Sequence, residues 1–223
     1  MSNLRLITHI IYDFDGLLLN TEPIHAQVNQ TIAARYGKTF DATVRTKVMG
    51  RRAQDSAQVI IDVLSLPLTV EEYLAQKDAI IYDLYPAACP MPGAMELTRH
   101  FHQAQLPQAI ASSSSRRPFQ YKTLHYQDWL QLFDLIVLGD DPAIANGKPA
   151  PDIFLLAAER LGAVPAHCLV FEDSLAGLFA AKQAGMAVVA VPDPIMDKRL
   201  FQAADQVLNS LTEFNPQDWN LPL

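Results

Sequence analysis

An apolar run from Ile7 to Tyr12 predicts a short buried strand, broken off at Asp13-Phe14-Asp15-Gly16. Beyond that break the spacing turns helical. Thr21-Glu22-Pro23 reads as a helix start, with a Thr cap, an acidic residue and Pro in the first turn. That helix runs to about Tyr36, with Gly37 as its stop. Apolar residues at Ala57, Ile60, Ile61 and Leu64 predict a second helix over 54–64, ended by Pro67, and Leu74, Ile81 and Leu84 a third over 71–84. No stretch between Thr21 and Ala88 reads as a strand. Pro86, Pro90, Pro92 and Gly93 then punctuate a linker.

After the linker, helices and short apolar strands alternate. The pattern predicts a helix over 94–103 and strands over 107–111 and 135–138. It continues with a helix over 151–161 stopped by Gly162, a strand over 168–171, a helix over 174–184 stopped by Gly185, and a strand over 187–191. Such alternation implies right-handed crossovers and a parallel sheet covered on both faces. The predicted fold is α/β: a Rossmann-like doubly wound parallel sheet from residues 1–20 and 89–223, with an all-α domain, residues 21–88, inserted after the first strand and lying over the sheet's end.

Composition narrows the function classes. Half of the residues are hydrophobic and 18% are charged, as in an ordinary soluble globular chain. Lys and Arg total 17 against 24 Asp and Glu, for a net charge of −7. The longest basic clusters are Arg51-Arg52 and Arg116-Arg117, so no nucleic-acid partner is expected. Cys89 and Cys168 lie far apart and form no CxxC pair, which suggests a reducing compartment and no disulfide framework, with a single bridge left open. The N-terminus shows no signal-peptide pattern, and no apolar run approaches the ~20 residues of a membrane span. The expectation is a cytoplasmic protein without a membrane partner, monomeric or a small homo-oligomer.

The chemistry gathers at strand ends. Side chains two apart in extended backbone point the same way, so Asp13 and Asp15 face one site, and Gly16 lets the chain turn away directly after them. Two close carboxylates at a buried strand end repel each other and call for a cation; Mg²⁺, a hard ion that takes oxygen ligands, suits the place. Alone, Asp-x-Asp-Gly also describes a solvated turn. In open parallel sheets, however, ligands bind beyond the carboxyl ends of the strands, where this chain also places Ser112-Ser113-Ser114-Ser115 and Glu172-Asp173-Ser174. Lys148 lies in a loop, Asn146 to Asp152. In isolation the serines read as a flexible linker, Lys148 as a surface lysine, and Glu172-Asp173-Ser174 as an acidic helix start. Taken together they form a carboxylate set for a cation and two phosphate-binding groups, the Ser112 hydroxyl and the Lys148 ammonium.

These motifs resemble, in order and spacing, those of the haloacid dehalogenase superfamily of aspartate-nucleophile phosphatases with a helical cap. Asp13-Phe14-Asp15-Gly16 matches the first motif, Ser112 after Ile110-Ala111 the second, Lys148 in Gly-Lys-Pro-Ala-Pro-Asp the third, and Glu172-Asp173 the fourth. The resemblance covers the whole chain. Within the superfamily it is strongest to the pseudouridine-5′-phosphatase family, through Val48–Arg52, Gln58–Leu64, Ile136–Pro142 and Val207–Leu211. It implies a Mg²⁺-dependent phosphomonoesterase acting on a small phosphorylated metabolite through an aspartyl-phosphate, with pseudouridine 5′-phosphate a candidate. Asp13 would be the nucleophile, and Asp15 the acid and then the base. Ser112, Ser113 and Lys148 would bind the phosphoryl group. The metal would be held by Asp13, the Asp15 carbonyl and Asp173, helped by Glu172. Arg51 and Arg52 of the cap would lie near the leaving group.

Alternatives are a sugar phosphomutase of the β-phosphoglucomutase type and a hexose or polyol phosphate phosphatase. A non-catalytic binding protein is disfavoured by the full set of catalytic residues, and dehalogenation needs no acid at Asp15. Two positions depart from the pattern. Asn20-Thr21 stands where the first motif usually ends Asp-Thr or Asp-Ser. His25 stands where similar phosphomutases place a histidine and an aromatic residue is expected of the pseudouridine phosphatases, which bears on the substrate rather than on the chemistry.

Overall fold

The computed structural model describes residues 6–222. Strand β1 (His9–Tyr12) leads through β2 (Leu19–Asn20) into four helices, α1 (Glu22–Ala34), α2 (Ala42–Val48), α3 (Ala53–Leu64) and α4 (Val70–Leu84). The chain returns through β3 (Cys89–Pro90), then alternates: α5 (Ala94–Gln103), β4 (Gln108–Ser112), α6 (Arg116–Lys122), α7 (Gln127–Leu130), β5 (Leu135–Leu138), α8 (Asp152–Leu161), β6 (Cys168–Glu172), α9 (Leu175–Gln183), β7 (Ala187–Ala190) and β8 (Gln206–Val207). The main sheet has the order β5-β4-β1-β6-β7-β8, and every neighbouring pair is parallel. The fold is α/β, with a doubly wound, Rossmann-like core and an inserted set of helices. The order reverses at β1, so the crevice beyond its carboxyl end is where this topology places ligands.

The strands are continuously apolar because both faces are covered. Ile10, Tyr12, Ile110, Leu169, Phe171 and Val189 point into one layer with α5, α6, α7 and the C-terminal segment. The alternate residues Ile11, Ala109, Ala111, Val137, Val170 and Val188 point into the other, against α8 and α9. The inserted helices have an apolar cluster of their own, including Val28, Ile32, Val44, Ile60, Tyr73 and Ile81.

Several boundaries differ from the sequence reading for local reasons. β1 starts at His9 rather than Ile7, and β4 starts at Gln108, because Pro107 has no N–H and contributes only its carbonyl, to Ile10 N. β4 and β6 each run one residue further than predicted, which carries Ser112 and Glu172 into the ladder opposite Leu138 and Ala190. The expected linker contains β3, which pairs antiparallel with β2; Pro90 is tolerated at the edge of this ribbon. Helix α3 ends at Ser65 in a left-handed conformation (φ 51°), before Pro67. Helix α4 starts earlier than predicted, closed by a capping box between Thr69 and Glu72. Thr21 does precede α1, but its side chain makes no cap bond.

Short elements escaped the periodicity. In α2 only Val44 and Val48 turn inward, and in α6 only Phe119 and Lys122, so neither presents a repeating stripe. Helix α7 spans four residues and β8 two.

The insert rests on the core through polar and aromatic contacts. Arg45 pairs with Asp193 at 2.6 Å. Ser113 donates to the Gly50 carbonyl at 3.1 Å, and Arg52 donates to the Ile144 carbonyl at 3.4 Å. Gly50 (φ +73°) is needed there, since a Cβ would fall 2.0 Å from Ser174 Oγ. From the core, α6 places Arg117 4.6 Å over the Tyr82 ring and Tyr121 4.6 Å from it.

Phe171 is fully buried, stacks on Tyr12 at 5.2 Å and meets Phe214 edge-on at 4.8 Å. Phe171→Ala is expected to lower stability by ~3–5 kcal/mol, read as a drop in the denaturation midpoint; a midpoint close to wild type would show that this layer does not hold the sheet.

Candidate active site

The site forms where β1, β4 and β6 end side by side. Asp13 stays in strand register, with its N–H donating to the Phe171 carbonyl at 3.0 Å. The chain then bends at Gly16 (φ +87°), whose N–H bonds the Leu19 carbonyl at 2.8 Å. A Cβ on Gly16 would lie 2.3 Å from Asp173 Oδ2, so a glycine here is what lets the end of β6 approach the turn.

Lys148 is the centre of the buried polar network. Its ammonium lies 2.5 Å from Asp13 Oδ1, 2.6 Å from Glu172 Oε1 and 3.1 Å from the Ala111 carbonyl. Lys148 and Glu172 are 2% and 0% exposed, so the charges are mutually dependent. The second oxygen of Glu172 accepts from Asp173 N, Ser174 N and Ser174 Oγ, each at 3.0 Å. Gly177 in α9 leaves the room for that carboxylate: a Cβ would sit 1.7 Å from Glu172 Oε1. Glu172 therefore has both oxygens bonded, and it orients Lys148.

The floor of the site holds more negative charge than Lys148 balances. Asp13, Glu172 and Asp173 are all buried, with a ligand atom of each within 4.8 Å of the others. Burial pushes the Asp13 carboxyl up to about 7, with Glu172 adding to the shift and Lys148 opposing it. Burial, Glu172 and Asp13 together push Asp173 well above the usual carboxylate range. Asp173 Oδ1 is buried and has no hydrogen-bond partner. A surplus of buried carboxylate with an orphaned oxygen is the donor set of a hard divalent cation, and Mg²⁺ fits it.

Asp15 is held apart from this cluster. Its Oδ1 accepts from Lys122 Nζ at 2.5 Å and Thr21 Oγ1 at 2.9 Å. Its Oδ2 accepts from Ser114 Oγ at 2.8 Å and, more weakly, from Ser112 Oγ at 3.3 Å. Burial alone would raise its pKa, but the Lys122 ammonium and the hydrogen bonds from Lys122 and Ser114 outweigh it and hold the group well below the ordinary range. Thr21 gives its hydroxyl to Asp15 and so does not cap α1.

A cavity of about 460 Å³ lies between this floor and the insert, lined by Asp13 and Asp15 and by His25, Arg45, Lys77 and Tyr85 among others. Ser112 is fully buried below Asp15, while Ser113 and Ser114 line the cavity. Arg51 and Arg52 reach its wall, although Arg51 is exposed and bonded to the Lys47 carbonyl, and Arg52 leans on the core loop before Lys148. His25 packs against the Tyr85 ring at 5.8 Å; burial lowers its pKa well below the usual histidine value, and Lys77 and Lys122 add to the shift. Asn20 is an exposed residue of β2, paired with Cys89.

The sequence reading named Asp13, Asp15, Ser112, Ser113, Lys148, Glu172 and Asp173, all of which lie at this crevice. It missed Lys122, Ser114, Thr21 and Lys77. Ser114 was legible only as part of a serine run. Lys77 is buried, makes no ion pair or hydrogen bond among the described residues, and lines the cavity; burial and the nearby Lys122 lower its pKa to about 8. Neither lysine sits in a motif, and a lysine on a helix is by default a solvated one, so no sequence signal set either apart.

Among the described residues no helix is long and apolar enough to cross a membrane. The family profile described as haloacid dehalogenase-like hydrolase matches residues 7–185. The chain is 44% identical over 221 residues to a protein of Arabidopsis thaliana named (DL)-glycerol-3-phosphatase 1, mitochondrial, covering 97% of this chain and 74% of that one. It is 42% identical over 222 residues to a probable pseudouridine-5′-phosphatase of Drosophila melanogaster, covering 98% and 96%. Among solved structures, CbbY of Rhodobacter sphaeroides in complex with phosphate superposes with a TM-score of 0.76 at 27% identity, covering 93% and 96%. With the motif residues gathered at one crevice and the profile spanning most of its length, this chain belongs to the haloacid dehalogenase-like hydrolase family.

Proposed function

We propose that the protein is a Mg²⁺-dependent phosphomonoesterase that hydrolyses a small phosphorylated metabolite through an aspartyl-phosphate on Asp13. The observation that carries this reading is the pairing of Asp13 and Asp15 on one cavity, the first bound to Lys148 and the second to Lys122. The names of the relatives support the substrate class.

Lys148 holds Asp13 Oδ1, which leaves the other oxygen of Asp13 to attack phosphorus. As that O–P bond forms, the ester O–P bond breaks and Asp15 gives a proton to the leaving oxygen. Asp15 then takes a proton from water as the water oxygen bonds phosphorus and the Asp13–phosphorus bond breaks, which restores the Asp13 carboxylate and the protonated Asp15 that the first step requires. Lys148 and the hydroxyls of the serine run bind the phosphoryl oxygens, where charge accumulates. Asp13, Asp173 and the Asp15 carbonyl would hold Mg²⁺, which when bound supplies the positive charge that offsets repulsion between carboxylate and phosphate. The helical insert acts as a cap that closes water out of the cavity.

The cavity, about 460 Å³, and its aromatic and cationic insert wall of Tyr82, Tyr85, His25 and Lys77 suit a leaving group of nucleoside size, such as that of pseudouridine 5′-phosphate. The relative named for glycerol-3-phosphate supports a polyol phosphate as the second reading.

Asp13→Asn is expected to reduce turnover on the order of 10⁴-fold or more with the circular dichroism spectrum unchanged; clear residual activity in the purified, folded variant would remove Asp13 from the role of nucleophile. Asp173→Asn should raise the Mg²⁺ concentration for half-maximal rate by at least ~10-fold and change the rate at saturating metal less. Wild-type activity that survives EDTA would overturn the metal assignment. A phosphomonoester panel with Mg²⁺, containing pseudouridine 5′-phosphate and glycerol 3-phosphate, identifies the substrate by kcat/KM. In the same assay, β-glucose 1-phosphate with a trace of glucose 1,6-bisphosphate should give no glucose 6-phosphate; its rapid formation with little free phosphate would make the protein a mutase and give His25 a catalytic role.

A further inference from the structure

Lys122 belongs to none of the four motifs, yet it is as deeply placed as Lys148. It is the last residue of α6, and its side chain is 1% exposed. A lysine at a helix C-terminus is ordinarily explained by the helix dipole. Here the ammonium turns elsewhere. It lies 2.5 Å from Asp15 Oδ1, 2.7 Å from Ser114 Oγ and 4.9 Å over the ring of Tyr85. Burying an ammonium is costly unless it is paired and hydrogen-bonded, so these partners decide where it sits.

They come from two parts of the molecule. Asp15 and Ser114 belong to the core. Tyr85, 3% exposed, lies in the single turn Tyr85–Ala87 that follows α4 and leads into β3, so it marks the end of the insert. The same helix α6 carries Arg117 and Tyr121 onto Tyr82 of the insert.

We propose that Lys122 is a positioning residue for Asp15: its ammonium, seated between the Asp15 carboxylate and the Tyr85 ring, fixes that carboxylate on the leaving-group side of the cavity once the insert is in place. The inference rests on the reading of Asp15 as proton donor given above. As the Asp13–phosphorus bond forms and the ester bond breaks, the proton of Asp15 must travel to the departing oxygen. An acid out of place slows this step only when the departing oxygen needs the proton. An alkoxide does. 4-Nitrophenolate, a far weaker base, does not.

The test compares kcat/KM, which reports the first phosphoryl transfer, for an alkyl phosphomonoester and for 4-nitrophenyl phosphate, using the full chain with saturating Mg²⁺. In Lys122→Met the value for the alkyl ester is expected to fall ~10²-fold, the lower range for a lost general acid, while that for 4-nitrophenyl phosphate stays near wild type. If the substitution prevents folding, Tyr85→Leu serves in its place: it removes the insert's contact without touching the charge and should give the same split with a smaller fall. An equal loss on both esters would mean that Lys122 binds phosphate or only supports the fold, and no loss on either would mean that it is idle; each overturns the proposal while leaving the function standing. A wild-type protein that hydrolyses neither ester would overturn the function and the proposal with it.

Discussion

The structure of the site turns on one ammonium held between two buried carboxylates. Asp13 and Glu172 lie at the ends of adjacent parallel strands, where both are buried, and Lys148 makes both tolerable at 2.5 and 2.6 Å. The surrounding chain is arranged to keep that lysine there. Its loop is tied by Asn146 N to Asp152 Oδ2 at 2.9 Å and by Ala150 N to the Gly147 carbonyl at 3.0 Å. Glu172 is anchored from its far side by the first amides of the turn into α9, a helix that needs Gly177 for clearance. One cation thus joins β1, β6 and the loop after β5, and it leaves Asp173 as the carboxylate with an unused buried oxygen.

Asp15 experiences a different field although it is two residues from Asp13. Its partners are a lysine from α6, a serine after β4 and the threonine at the start of α1. Two carboxylates on one strand end are thereby pushed in opposite directions, Asp13 upward and Asp15 downward. The separation depends on the insert, because Thr21 opens it and Tyr85 closes it.

The core was legible in the sequence because its strands are buried on both faces and end in charged or hydroxyl residues. A continuous apolar run followed by Asp13, Ser112 or Glu172 is an abrupt chemical change, and abrupt changes survive in one dimension. The ribbon of β2 and β3 was not legible: Leu19 and Asn20 meet Pro90 and Cys89 across the whole insert, and a two-residue strand has no period to detect. Lys122 and Lys77 were illegible for a related reason. A lysine on a helix is by default a solvated one, and only packing shows that these two point into a closed space. Thr21 was recognised as a helix start, but its hydroxyl serves Asp15, a partner that local pattern cannot supply.

The two walls of the cavity differ in how tightly the fold constrains them. On the core side each functional group is fixed by the ladder: moving Asp13 or Glu172 by one position would turn it into an apolar layer. On the insert side His25, Lys77 and Arg45 project from helices whose other faces form the insert's own apolar cluster, so no ladder register fixes them. The carboxylates of the crevice are therefore tied to the backbone of the sheet, and the opposite wall to side chains that no ladder fixes. Relatives named (DL)-glycerol-3-phosphatase and probable pseudouridine-5′-phosphatase are each more than 40% identical to the chain. The sheet thus sets the carboxylates of the crevice, whereas Lys77, buried over the same cavity and without an ion pair or hydrogen bond among the described residues, is set only by the packing of α4.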